Sequence, residues 1–214
     1  MIVEKIDTVL RNEANCQLQE YDNEEDDVHG EIFGAATGLI EELARVCKDG
    51  FAEYFVVLAD TLVKFTKDDR DEDDIATVIG VMGICMKHAS ALAPKYGIDI
   101  LKVCFEVLEY GDEYINANVA FCVGMVIENA PDLIKEHAKG IMEKLKVMYE
   151  NTTYGKGKDN ALSTLARLAY SVPQVVPLDL IITAILKAIP LKDDPKENRS
   201  VVKLIVYCFE NNVQ

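Results

Sequence analysis

Apolar side chains recur along this chain at spacings of three, four and one, which marks helices that bury a single face. Phe51, Tyr54, Phe55, Leu58, Leu62 and Phe65 form one such stripe. Ile98, Leu101, Phe105 and Leu108 form a second, Ile134, Ile141, Leu145 and Met148 a third, and Leu178, Ile181, Ile182, Ile185 and Ile189 a fourth. Each stripe follows another apolar-rich segment that opens on a small residue, so the pattern predicts a succession of helical hairpins.

Those opening segments resemble one another. Gly38-Leu39-Ile40-Glu41-Glu42-Leu43-Ala44 can be laid over Gly83-Ile84-Cys85-Met86-Lys87-His88-Ala89 and over Gly124-Met125-Val126-Ile127-Glu128-Asn129-Ala130. With a degenerate copy at Ala166 to Val172, the heads lie 45, 41 and 42 residues apart. A period near 40 in a helical chain is the spacing of HEAT and armadillo repeats. Glycine is a poor helix former, so Gly38, Gly83 and Gly124 need a reason; close packing of each first helix on the next repeat supplies one.

The expected architecture is all-α, a HEAT-repeat α-solenoid: a superhelix of about four antiparallel helix pairs plus flanking helices. The approximate units are a flanking helix in 1–22, hairpins at 25–66, 72–110, 112–150 and 157–190, and a final helix in 196–214, all in one array. Lys48-Asp49-Gly50 and Lys95-Tyr96-Gly97 read as dividers within hairpins, while Lys67 to Asp74 and Glu150 to Lys158 divide repeats. Acids gather before first helices, at Glu24 to Asp27, Asp71 to Asp74 and Asp112 to Glu113, where they complement the helix N-terminus.

Composition agrees, since Trp is absent, aromatics are 7% of residues and half the residues are apolar. The charge changes the picture more. Twenty-two basic against 37 acidic residues give −15, a field that repels phosphate backbones and anionic membranes and draws in basic proteins. Direct nucleic-acid binding and membrane insertion are therefore not expected. The six cysteines, Cys16, Cys47, Cys85, Cys104, Cys122 and Cys208, show no paired or metal-ligand spacing and read as reduced core residues. Met1 leads into an amphipathic stretch with Glu4, Lys5 and Asp7, so no secretory signal is expected.

Candidate chemistry is thin. The acid run Asp68-Asp69-Arg70-Asp71-Glu72 resembles the magnesium-holding carboxylates of all-helical prenyl-diphosphate enzymes, but it falls in a connector and lacks a facing partner cluster. Tyr154-Gly155-Lys156-Gly157-Lys158-Asp159 lacks the strand, spacing and hydroxyl of a phosphate-binding loop and reads as a flexible basic loop. His29, His88 and His137 fall in different helices. Ser90, Ser163, Ser171 and Ser200 have no elbow-type turn around them. The expectation is a protein without catalytic, metal-binding or cofactor-binding residues.

What remains is surface. In a solenoid the second helices line one continuous face on which extended partners lie. Glu53, Asp60, Glu106, Glu109, Glu136 and Glu143 are its candidate acidic track, interrupted by Lys102, Lys139 and Lys146. Gly38, Gly83, Gly124, Asp159, Asn160 and Arg167 are the candidate repeat-packing residues.

Several strings resemble the C-terminal HEAT repeats of karyopherin-β (importin-β-like) nuclear transport receptors, most closely the importin-four-type subgroup. Pro177-Leu178 followed by Ala188-Ile189-Pro190-Leu191-Lys192-Asp193-Asp194 and Glu197-Asn198 is similar to a string that ends a second helix in that family. Asp159-Asn160-Ala161 with Ala166-Arg167 resembles the opening of the same repeat. Asn118-Val119-Ala120-Phe121 with Gly124 resembles the family's Asn-x-Ala-Phe/Tyr-x-x-Gly helix, and Cys16-Gln17 with Tyr21-Asp22 its upstream linker. The likeness runs from about Asn12 to Ser200.

It implies a protein-binding segment of a nuclear import receptor that shuttles between cytoplasm and nucleus through nuclear envelope pores, carrying basic cargo such as histones or ribosomal proteins. In such receptors the GTPase Ran is bound largely by N-terminal repeats, and Ran and nucleoporins would be met through the rest of a longer receptor. The alternative is a HEAT scaffold or regulatory subunit unrelated to nuclear transport.

Overall fold

A computed structural model of the protein describes residues 2–15, 17, 28–67 and 69–213. Among these, eleven helices follow in order: α1 (Ile2–Leu10), α2 (Val28–Cys47), α3 (Ala52–Lys64), α4 (Glu72–His88), α5 (Leu92–Val107), α6 (Glu113–Asn129), α7 (Pro131–Ile134), α8 (Ala138–Asn151), α9 (Gly155–Ser171), α10 (Leu178–Ala188) and α11 (Asn198–Glu210). The described residues contain no strand. The fold is the expected all-α stack. Helix α2 packs on α4, α4 on α6, α6 on α9 and α9 on α11, forming a ladder of first helices. Along one side of it run the second helices α3, α5, α8 and α10, while α1 lies against α2 and α3.

The two ladders differ in how much they bury. Helix α6 lies between α4 and α9 and buries Ile115, Ala117, Val119, Ala120, Cys122, Val123, Gly124, Met125, Val126 and Ile127, residues spread around its circumference. Helix α8 buries only Ala138, Ile141, Leu145 and Met148, one stripe at helical spacing. The second helices therefore give the clean periodic signal and the first helices the diffuse one.

Two helix starts are capped by side chains. The Asp71 carboxylate accepts the Asp73 amide at 2.9 Å and Asp112 accepts the Ile115 amide at 2.7 Å, N-caps of α4 and α6 that contribute about 1 kcal/mol each. Gly111, at φ +80, closes the turn after α5 in the left-handed conformation that glycine adopts without cost.

Four sequence expectations change. Lys95-Tyr96-Gly97 does not divide a hairpin; it lies inside α5, and Ala89 to Ala91 make the break. A Cβ on Gly97 would sit 2.9 Å from Val126 Cγ1, so the glycine serves close approach to α6 rather than a turn. The stretch from Gly155 to Asp159 is the first turn and a half of α9, not a flexible loop. Gly38 is exposed, and a Cβ there would meet nothing within 4 Å, because α2 meets its neighbours through the buried Ala36, Thr37, Ile40 and Ala44 instead. Ile98, Phe105 and Leu108 are only half-buried, whereas Ile100, Val103, Cys104 and Val107 carry the α5 core. Cys16, Tyr21, Asp22, Glu24 to Asp27 and Asp68 lie outside the described residues.

Gly83 and Gly124 are different from Gly38. A Cβ on Gly83 would lie 2.7 Å from Phe121 Cδ1 and 3.1 Å from the Cys122 Cα; one on Gly124 would lie 2.5 Å from Thr164 Oγ1 and 3.2 Å from Arg167 Cδ. Alanine at Gly83 or Gly124 is expected to lower stability by about 1–3 kcal/mol through overpacking, against its better helix propensity. Gly38→Ala is expected to raise it by up to about 1 kcal/mol. Urea unfolding followed by circular dichroism separates the two outcomes.

Candidate functional site

Where the first helices approach closely, polar side chains reach from one repeat to the next. Asn129 Nδ2 donates to the Met86 carbonyl at 2.9 Å, Asn160 Nδ2 to the Ala117 carbonyl at 3.0 Å, and Thr164 Oγ1 to the Ala120 carbonyl at 2.8 Å. A helix carbonyl has a second lone pair to offer, so these bonds add to the ladder rather than break it. The connectors do the same: the Asp49 carboxylate accepts the Ala91 amide at 2.9 Å and the Ser90 hydroxyl at 3.1 Å, and Glu113 accepts both the amide and the hydroxyl of Thr153. In all five cases the partners are 40 to 44 residues apart, one repeat along the chain.

The strongest cluster surrounds Arg167 on α9, only 5% exposed. Its Nη1 donates to Glu197 Oε2 at 2.7 Å and to Ser163 Oγ at 2.9 Å, and its Nε to Glu128 Oε2 at 3.1 Å. Lys203 of α11 donates to the other oxygen of Glu128. Two acids and two bases thus join α6, α9, the connector before α11, and α11. Burial alone would push Glu128 up, but the Lys203 hydrogen bond and the Arg167 charge prevail and hold its carboxyl below the usual range. Burial, with Glu128 nearby, raises the Tyr170 phenol.

Asp159 and Asn198 complete this corner. Asp159 Oδ2 accepts the amides of Asp193 and Asp194 at 2.7 and 2.8 Å. Asn198 receives the Leu191 amide at 2.9 Å and donates back to the Leu191 carbonyl at 2.8 Å. The string from Leu191 to Asn198 is therefore a connector clamped by polar contacts. Asp159, Asn160, Arg167, Gly83 and Gly124 all lie between neighbouring repeats, and Gly38 does not. Glu128, Glu197, Lys203, Thr164 and Asn129 escape sequence reasoning, and the one signal for the last two is their distance of one period from their partners.

The acidic candidates scatter. Glu109 and Glu143 line one groove of about 690 Å³ between the end of α5, the start of α6 and α8, with Glu113 beside them and Leu108, Val147 and Met148 supplying apolar surface. Glu53 and Asp60 are exposed on α3, and Glu136 sits in the turn before α8, outside that groove. Glu106 is drawn to Lys67 at 3.6 Å. Lys102 pairs with Asp99 at 3.0 Å and Lys146 with Glu150 at 3.8 Å, while Lys144 lies 5.1 Å above the Phe105 ring.

No group of three or more His, Cys, Asp or Glu side chains among the described residues converges as metal ligands would. His29, His88 and His137 sit on α2, at the end of α4 and in the turn before α8. Burial, with Glu41 and Cys122 nearby, pushes the Cys85 thiol well up, and hydrogen bonding to Cys122 together with burial does the same for Cys104, so neither supplies a thiolate at neutral pH. No helix among the described residues is long and apolar enough to cross a membrane.

No protein-family model matches the chain. Among curated proteins it is 22% identical over 191 residues to the probable importin subunit beta-4 of Schizosaccharomyces pombe, covering 89% of this chain and 18% of that protein. It is 24% identical over 164 residues to importin-4 of Homo sapiens, covering 77% of this chain and 15% of the relative, and 21% identical over 162 residues to importin-4 of Mus musculus, covering 76% and 15%. The importin-β-like resemblance thus extends over most of the chain, and the chain spans less than a fifth of the length of these relatives.

Removing Arg167 leaves Glu197 buried without a cation, so Arg167→Met is expected to cost about 3–5 kcal/mol in chemical unfolding. Because the Glu128 pKa is depressed in the folded state, its contribution is present above the ordinary carboxylate range and is lost as pH falls through the folded value. Glu128→Gln is therefore expected to be less stable at neutral pH and to lose part of the stability difference between neutral and acidic pH. Unfolding curves over that range check both.

Proposed function

We propose that this chain is the C-terminal cargo-binding part of a karyopherin-β-like nuclear import receptor, recognising basic proteins such as histones or ribosomal proteins. The similarity along 89% of the chain to the probable importin subunit beta-4 of Schizosaccharomyces pombe, and along 77% to human importin-4, carries the reading. The helical stack supports it, because second helices side by side offer a long surface rather than a reaction centre. The charge of −15 supports the basic character of the cargo by favouring encounter with cationic partners.

On this reading the groove between α5 and α8 is where a cationic segment gains most. Glu109 and Glu143 supply carboxylates at the rim, and Leu108, Val147 and Met148 accept the aliphatic stems of lysine or arginine. Ran and nucleoporins are met by other repeats of a longer receptor, and the protein shuttles between cytoplasm and nucleus.

Immobilised histone tails and a basic ribosomal protein are expected to retain the purified chain at low salt and release it as salt rises. Glu109→Lys combined with Glu143→Lys, both at exposed positions, is expected to weaken retention by roughly tenfold, mostly through a slower encounter and a flatter salt dependence. Absence of salt-sensitive binding by the unmodified chain overturns the basic-cargo reading and leaves a HEAT scaffold outside transport.

A further inference from the structure

On the first-helix side of the stack, away from the α5–α8 groove, a smaller cavity of about 230 Å³ lies between the end of α4, α6, the start of α9 and the 194–197 connector. It runs against the charge of the protein. Lys87, Lys156 and Lys196 stand around it, all three exposed and none in an ion pair among the described residues. The carboxylates lining it are Asp194 and Glu197, and the second is taken up by Arg167. Tyr114 and Tyr154 form a wall, their rings edge to face with centroids 6.2 Å apart.

The floor is closed: Asn160 is 7% exposed and its Nδ2 donates to the Ala117 carbonyl. A fitting ligand therefore brings several negative charges to the three ammonium groups and lies against the Tyr114–Tyr154 wall. A polypeptide rich in Asp and Glu supplies such closely spaced carboxylates.

We propose that this cavity docks an acidic peptide segment, whose side-chain carboxylates meet Lys87, Lys156 and Lys196. The overall charge of −15 opposes approach, but at physiological ionic strength that repulsion is screened beyond about 8 Å, and the three nearby ammonium groups set the local field. The site is separate from the surface proposed for basic cargo and opposite to it in sign. One stack therefore offers an acidic groove on its second-helix side and a basic cavity on its first-helix side.

Fluorescence anisotropy with a labelled Asp/Glu-rich peptide tests this on the full chain. The peptide is expected to bind in a salt-sensitive manner, and its Asn/Gln counterpart to bind at least about tenfold more weakly. The K87E/K196E double variant, changed only at exposed positions, is expected to lose about tenfold or more in affinity, while Lys139→Glu on α8 leaves it unchanged. No binding, equal binding of the amide counterpart, or indifference to K87E/K196E overturns the site. Binding of basic cargo through Glu109 and Glu143 is read in a different assay, so either proposal fails without the other.

Discussion

The closeness of the first helices is the constraint on which the rest depends. At Gly83 and Gly124 the next helix comes so near that a single methyl group would meet its side chains or backbone. Only at that separation do short side chains such as Asn129, Asn160 and Thr164 span the gap to a neighbouring carbonyl. Helices α6 and α9 are accordingly buried almost all round, and most of their buried polar groups find partners within the protein. The second helices are freed from this: they need one apolar stripe and leave their other faces in solvent.

Within that ladder the Arg167 cluster solves a problem the ladder creates. A guanidinium as buried as a core leucine is tolerable only when hydrogen-bonded and balanced in charge; Glu128, Glu197 and Ser163 take its Nε and Nη1 donors, and the two carboxylates balance the charge. Lys203 then balances Glu128's second role. The connector from Leu191 to Asn198 is drawn into the same arrangement through Asp159, Glu197 and Asn198, so the string that most specifically resembles importin-like receptors coincides with a dense knot of polar contacts. The likeness there has a physical reason: each polar residue answers to a partner, and changing one strands the other.

How much the sequence discloses follows from the same division. The stripes of α3, α8 and α10 are plain because one face of each is wet, and the glycine-headed copies carry the period. Glycine is ambiguous as a sign, since Gly83, Gly97 and Gly124 mark close approach, Gly111 a left-handed turn and Gly38 neither. Gly97 mimics a turn because charged and aromatic neighbours look like a loop when the packing partner, Val126, is a hairpin away. The acidic track follows from position on second helices, but Glu106 is occupied by Lys67, and Glu136 precedes its helix, facts that depend on how connectors fold. Arg167 and Glu197 fall in the strings that carry the family resemblance, but their pairing is not legible in the sequence, because the ion-paired members of the cluster are 30, 39 and 75 residues apart and no local pattern links them.

Those separations also bear on how the stack would come apart under load. Most of its cross-links reach one repeat and no further, so a pull applied along the array would peel hairpins singly, each yielding without disturbing the one beyond. The bond from Lys203 to Glu128 breaks that rule, crossing 75 residues and bridging over α9. Around it three successive first helices must let go together. The array is thus compliant along most of its length and stiff near α9, like a spring with one coil soldered, and bending imposed by a bound partner will concentrate on the α2 to α6 side of that point.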